Sequence, residues 1–287
     1  GIPNNSKEFK NILMPGVEHM RHTFLPEHKF VKGQPDTGSE LADDLEVIAK
    51  KLGGENIAAC IVEPIAGSTG TLIPPKNYLQ KLRRICDTHG ILLIFDEVVT
   101  GWGRTGSAFA AQEFGVTPDM ITMAKATTNG VIPMGVVAVK EEMYDAVLDS
   151  SSNPEGTPEL FHGYTYSGIP IAVAAGLAVQ DIFEKEDIFN RAKNLAPYFQ
   201  DAIHTLKDLD CVENIRSYGL MAGIDVRMKD RPGKAGYEVY KHCYKAGVNF
   251  KPTGDALIIT PPFVCEKKHI DEIVEKLRTG INNYLKA

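Results

Sequence analysis

The sequence predicts an α/β fold, with a mostly parallel central sheet flanked by helices and a smaller α+β C-terminal domain. Two patterns carry this reading. Through the first 180 residues, short apolar runs of strand length alternate with amphipathic segments of helix length, which is how a sheet with helical crossovers reads. Beyond residue 181 the pattern changes to several short strands around a helix, closed by a second helix. The division therefore falls at 1–180 and 181–287.

Taken in order, residues 40–51 set Leu41, Leu45, Ile48 and Ala49 at helical spacing among acids. Residues 58–62 are apolar, end in Glu63-Pro64, and read as a buried strand. Residues 78–89 predict a helix with Leu79, Leu82 and Ile85 on one face and Gly90 as its C-terminal stop. Further strands are expected at 91–95, 120–123 and 135–139, the first ending in Asp96-Glu97. Such near-continuous apolar strands predict burial on both faces of the sheet. Two longer helices follow at 171–184 and 190–206. Strands at 212–215, 220–226, 248–250 and 256–259 then surround a helix at 237–246. The closing helix, 267–285, carries Ile270, Ile273, Leu277 and Ile281 as its apolar stripe. No internal repeat or low-complexity segment is present.

With 43% hydrophobic and 24% charged residues, the chain has the composition of a globular protein and not of a disordered one. A net charge of −6 supplies no basic footprint for nucleic acid or an anionic membrane. No apolar run approaches the roughly 18 residues of a membrane helix. Five scattered cysteines, an odd number, suggest reduced thiols and a cytoplasmic setting more than a disulfide frame. His19, His22 and His28 could suggest a metal, but Pro15 and Pro26 interrupt the stretch and no converging ligand set accompanies them, so no metal is expected. The opening 34 residues have no initiating Met, signal peptide or presequence and read as a surface segment entered midway.

Three ionisable residues, Glu63, Asp96 and Lys125, fall at or just after expected strand ends. That is where α/β sheets bind ligands. A carboxylate at the end of a buried strand costs free energy unless donors or a cation meet it. Asp96 is thus either a helix cap or loop ion pair, or the anion that keeps a bound pyridine ring protonated. Lys125 is either a surface lysine or a partly desolvated amine available for imine formation. A competing pattern is Gly101-Trp102-Gly103-Arg104-Thr105-Gly106, which fits a dinucleotide-binding G-x-G-x-x-G, with residues 107–114 as its helix and Asp119 as its ribose acid. Against this nucleotide-dependent oxidoreductase reading, residues 96–100 separate the strand from the motif, and Pro118 precedes the acid.

In order, these pieces resemble the class III aminotransferases of pyridoxal phosphate (PLP) fold type I. The resemblance rests on Val62-Glu63-Pro64, Ile94-Phe95-Asp96-Glu97-Val98, Thr100 to Gly106, Gly115-Val116-Thr117-Pro118-Asp119 and Ala124-Lys125. It continues through Pro133-Met134-Gly135, His162 to Ser167, Gly254-Asp255 and Pro261-Pro262. It implies pyridoxal 5'-phosphate as cofactor, with Asp96 on the pyridine nitrogen, Val98 against one ring face, and Lys125 as Schiff-base lysine and proton shuttle. Thr165 would bind the cofactor phosphate of a neighbouring subunit, making a homodimer, or a dimer of dimers, the working unit. Glu63 resembles an acid near the cofactor.

Relatives acting with 2-oxoglutarate usually carry an acid five residues after the Glu of Glu-Pro; here that position is Ser68. The chain is most similar to the ω-amino acid (β-alanine type):pyruvate aminotransferases, so an ω-amino acid or amine and pyruvate are the expected substrates. An aminomutase, a decarboxylase and an inactive dimer partner are the alternatives. In that subfamily an arginine four residues before the Gly-Asp aspartate grips the substrate carboxylate; here it is Lys251. Lysine keeps the charge and loses the planar fork, which leaves the preference for carboxylates open. The resemblance begins past the family's N-terminal segment, so the Ser-Gly phosphate loop, the aromatic stacking residue and part of the substrate pocket are expected to lie outside this sequence.

Overall fold

The computed structural model describes residues 6–150, 162–227 and 232–286. In chain order these form α1 (Asp43–Leu52), β1 (Ala59–Val62), α2 (Tyr78–His89), β2 (Leu92–Asp96), α3 (Ala110–Glu113), β3 (Met120–Met123), β4 (Val136–Val139), α4 (Glu141–Asp149), α5 (Pro170–Lys185) and α6 (Ile188–His204). There follow β5 (Val212–Tyr218), β6 (Met221–Val226), α7 (Ala235–Lys245), β7 (Lys251–Thr253), β8 (Ala256–Ile259) and α8 (Lys267–Lys286).

The first sheet runs β1-β2-β3-β4. β1, β2 and β3 are parallel, with Ile61 beside Ile94 and Phe95 beside Ile121. β4 is antiparallel to β3, Met120 facing Val139. A parallel return needs a crossover helix, and between β3 and β4 there is only the 3-10 turn Lys125–Thr127. α1 starts with Asp43, Asp44 and Glu46 and ends with Lys50 and Lys51, a charge order that complements the helix dipole. α2 buries Leu79, Leu82, Ile85 and Cys86 and stops at Gly90 in a left-handed conformation. Together with Leu41, Leu45, Leu93 and Phe95 these residues form the first core.

The expected burial of both sheet faces is not what the described residues show. Leu93 and Phe95 are fully buried, but Ile61 and Val137 are each 61% exposed. A strand is covered twice only where helices lie on both sides, and here α1 and α2 build their core against one side. Ile171 and Leu177 of α5 are likewise exposed.

The second sheet is antiparallel, in the order β5-β6-β8-β7. Its core joins Phe199 and Ile203 of α6, Ile215, Ile224 and Leu257 of the sheet, and Ile270, Leu277 and Ile281 of α8. The strand expected at 248–250 lies instead at β7. Lys251 pairs with Ile258 and Thr253 with Ala256, so the tight Gly254-Asp255 turn, with Gly254 at φ +58°, sets the register. Val248 and Phe250 serve the core by packing on it. The helix that a dinucleotide motif would need at 107–114 is only the four residues of α3, and α4 forms where no element was expected.

Contacts between the two sheets fix the cleft. Arg216 of β5 binds Asp225 through both Nη atoms, at 2.5 and 2.8 Å, and donates from Nε to the Gly70 carbonyl at 2.8 Å. A Cβ at Gly223 would lie 2.1 Å from that carbonyl, so the close approach requires glycine. Arg104 donates to the carbonyls of Leu220 and Pro261 at 3.0 and 2.7 Å.

Candidate active site

Parallel strands of different length end side by side, so their terminal side chains converge. Glu63 follows β1, Asp96 closes β2, and Lys125 comes two residues after β3. The Val98 amide donates to Asp96 Oδ1 at 3.1 Å, and Lys125 Nζ donates to the Val98 carbonyl at 3.4 Å. Val98, Lys125, Lys251, Ser68 and Arg104 all line one cavity of about 210 Å³. A second cavity, of about 550 Å³, shares Lys125, Arg104 and Phe263 with it.

Burial raises the Glu63 pKa above the usual carboxylate range, and Asp96 pushes the same way; the Gly67 amide, donating to Glu63 Oε2 at 2.9 Å, opposes them, as do the charges of Lys125 and Lys251. Partial desolvation lowers the Lys125 pKa although the side chain is solvent-accessible, against the opposing pull of Asp96 and Glu63; Lys251 lowers it further. The site therefore favours an uncharged Lys125 amine more than water does, which is what attack on a carbonyl needs.

Lys251 does not stand alone in solvent. Its Nζ donates to Ser68 Oγ at 3.0 Å, so the two positions singled out separately in the sequence meet across the cleft. Thr165 is not brought to this group. It lies in an exposed turn before α5, between Tyr164 and Tyr166, each 78% exposed.

Neighbouring carboxylates have other partners. Glu97 is fully buried and accepts the Ala110 and Ala111 amides at 2.6 and 2.8 Å and the Thr100 hydroxyl at 3.0 Å. Those amides begin α3, so Glu97, and not Asp96, does the work of a helix cap. Asp119 accepts the Leu93 amide at 2.7 Å, Arg83 at 2.7 Å and Lys140 at 2.8 Å. A pyrophosphate on Gly101 to Gly106 would need the helix N-terminus that Glu97 fills, and a ribose would need the acid that Asp119 commits elsewhere. The geometry leaves no place for the dinucleotide reading.

Arg104 and Phe263 line both cavities and are residues that sequence reasoning missed. Arg104 stacks 4.4 Å from the Phe263 ring centroid, and burial pushes its pKa down to about 10. A lone arginine inside a glycine-rich stretch was the available signal. Of the three N-terminal histidines, His28 is buried with Nε2 3.5 Å from the Thr37 hydroxyl, and His19 and His22 are exposed. Among the described residues no group of three or more metal-ligating side chains is gathered.

Comparison with known proteins identifies the family. The family description "Aminotransferase class-III" matches residues 3–281. An omega-aminotransferase of Caulobacter vibrioides is 51% identical over 97% of this chain and 63% of its own length. The beta-alanine–pyruvate aminotransferase of Pseudomonas aeruginosa is 40% identical over 98% of this chain and 63% of its own. The chain thus spans about 63% of the length of these curated relatives. Among solved structures, the omega transaminase from Pseudomonas jessenii in complex with PMP superposes with a TM-score of 0.91 at 27% identity, covering 100% of this chain and 64% of that one. A transaminase with L-Ala gives 0.91 at 29% identity, covering 100% and 68%. The chain belongs to the class III aminotransferases.

Proposed function

We propose that this chain forms part of a PLP-dependent aminotransferase that moves an amino group from an ω-amino acid or simple amine to pyruvate. The observation that carries the reading is the gathering of Val98, Lys125, Lys251 and Ser68 on one cavity beside Asp96. Their positions suit pyridoxal phosphate. Among the described residues the Val98 amide is the one hydrogen-bond donor to Asp96, which leaves acceptor capacity for a protonated ring nitrogen. Lys125 offers an amine of lowered pKa. The names of the relatives, acting on β-alanine or ω-amino acids with pyruvate, support the substrate class.

When bound, the cofactor supplies an electron sink for the carbanion formed at the substrate carbon. Asp96 would hold the ring nitrogen's proton by charge, and Val98 would pack against a ring face. Lys125 Nζ would provide the covalent attachment and would then shuttle the proton removed from the substrate carbon. Glu63 would be a nearby acid, its pKa raised by partial burial. Lys251, steadied by Ser68, receives a substrate carboxylate. Thr165 reaches the phosphate site of a second copy, so the working unit is a homodimer or a dimer of dimers. The division of the chain at 180/181 places these groups on the first domain, with Lys251 brought from the second. A cytoplasmic setting accords with five free cysteines, four of them buried; among the described residues no helix is long and apolar enough to cross a membrane.

The test is formation of alanine from pyruvate with β-alanine or a simple amine as donor, followed with cofactor supplied. Cofactor bound without alanine formation, or carbon dioxide released from the donor instead, would overturn the reading in favour of an inactive partner or a decarboxylase.

A further inference from the structure

The glycine-rich stretch that holds no nucleotide still has a task. We propose that Trp102 is a positioning residue for Lys125, acting through the Thr127 hydroxyl. The proposal rests on the reading of Lys125 as the cofactor lysine.

Lys125 has φ +49°, in the left-handed region that a residue with a Cβ enters only against steric resistance. Its own side chain is solvent-accessible and, among the described residues, makes one hydrogen bond, at 3.4 Å to the Val98 carbonyl. The backbone therefore sets the point from which the flexible stem reaches into the cavity, and something must hold that backbone. The hydrogen bonds around it answer this. Thr127 Oγ1 and the Thr127 amide both donate to the Ala124 carbonyl, at 3.0 and 3.1 Å. The amides of Thr128 and Gly130 donate to the Lys125 carbonyl at 3.3 and 3.2 Å. Thr127 Oγ1 in turn accepts the Trp102 indole N–H at 3.0 Å. Because that hydroxyl has one proton, accepting from Trp102 commits the proton to Ala124. The indole thus orients the hydroxyl that closes the turn containing Lys125.

The far end of the brace is anchored as well. The Trp102 ring lies edge-on to Phe109 at 5.3 Å and to Phe183 at 6.1 Å. Its amide donates to the Ala108 carbonyl at 2.6 Å. Trp102 is itself at φ +63°, between Gly101 and a Gly103 at φ +98°. At Gly103 a Cβ would come within 2.9 Å of the Phe189 ring, so the second glycine of the motif lets the loop carry the indole inward. Thr127 is 4% exposed, so water does not replace the bond when it is broken.

The test compares Thr127→Val, which keeps shape and removes the acceptor, with Trp102→Phe, which keeps an aromatic ring and removes the donor, and with Thr127→Ser as rescue. Three readouts are taken: amide exchange across residues 124–130, the rate at which added pyridoxal phosphate becomes borohydride-trappable on Lys125, and the kcat and KM of transamination. Loss of one buried hydrogen bond should speed exchange in this segment and slow trapping about fivefold each. kcat should fall by a similar factor with KM for the amine unchanged, and Thr127→Ser should restore all three. Trapping at the wild-type rate in both Thr127→Val and Trp102→Phe would overturn the proposal. So would exchange that rises evenly over the whole chain, since that marks general destabilisation. Trapping on another lysine in the wild-type protein would overturn the assignment of Lys125 itself, and the proposal with it.

Discussion

Lys251→Arg is the change that most directly reads how the site recognises substrate. Lys251 Nζ has three N–H donors, and Ser68 Oγ takes one at 3.0 Å. The remaining two sit on a flexible stem and share a single charge centre, so a carboxylate meets one well-placed hydrogen bond at a time. Arginine offers two parallel N–H groups matched to the two carboxylate oxygens. A hydrogen bond to a charged group is worth about 1.5 to 3 kcal/mol where water is excluded. Lys251 is exposed, so solvent screening leaves about 1 kcal/mol, or roughly a fivefold decrease in KM for β-alanine and pyruvate. Amine donors without a carboxylate should show no change. Steady-state kinetics with both donor types, repeated for Lys251→Ala and Ser68→Ala, measures this. If neither Lys251 variant alters KM for any carboxylate substrate, the cation is not part of the pocket and the cleft contact with Ser68 is structural alone.

Three further outcomes are expected. Lys125→Ala should abolish covalent cofactor attachment and turnover; borohydride reduction followed by peptide mass spectrometry identifies the attachment point, and a different modified lysine would remove Lys125 from its role. Asp96→Asn keeps shape and loses charge, and should lower kcat by roughly a hundredfold; near-normal turnover would return Asp96 to a loop role. Asp119→Asn should destabilise the fold by roughly 2 kcal/mol at neutral pH, since its native partners hold the Asp119 pKa at about 2, below the ordinary 3.8. As a lowered carboxylate pKa, this stability is present above the ordinary value and is lost as pH falls through about 2, so urea midpoints of the wild-type and Asp119→Asn proteins should converge in acid; a constant gap would refute the linkage.

The alternation of strand and helix in the first half was legible because each buried strand is an unbroken apolar run and each helix has a marked end. α2 and its Gly90 stop fall where the pattern puts them. Elements governed by contacts distant in sequence were less legible. β7 follows its hairpin turn and not its own apolar residues. The antiparallel direction of β4 depends on a connection too short for a crossover. Exposure of Ile61 and Val137 runs against the sequence pattern, since an unbroken apolar strand ordinarily reads as covered on both faces.

At the site, position in the chain could not separate Asp96, Glu97 and Asp119, which are all acids at or near the ends of short strands. What separates them is how much of their acceptor capacity the fold consumes. Glu97 receives three donors and Asp119 receives two cations and an amide, so each is satisfied without a ligand. Asp96 receives one amide and keeps room for a cation. A half-satisfied carboxylate at a strand end is costly to maintain, and a protonated ring nitrogen is the partner that would complete it. The same reasoning joins Ser68 to Lys251: replacing an acid by a hydroxyl leaves the ammonium positioned but not neutralised. Its charge therefore stays available to a substrate carboxylate, and it also reaches Lys125, whose pKa it helps to lower. If Lys125 is the attachment lysine proposed above, one cation at the edge of the cleft would couple substrate recognition to its reactivity.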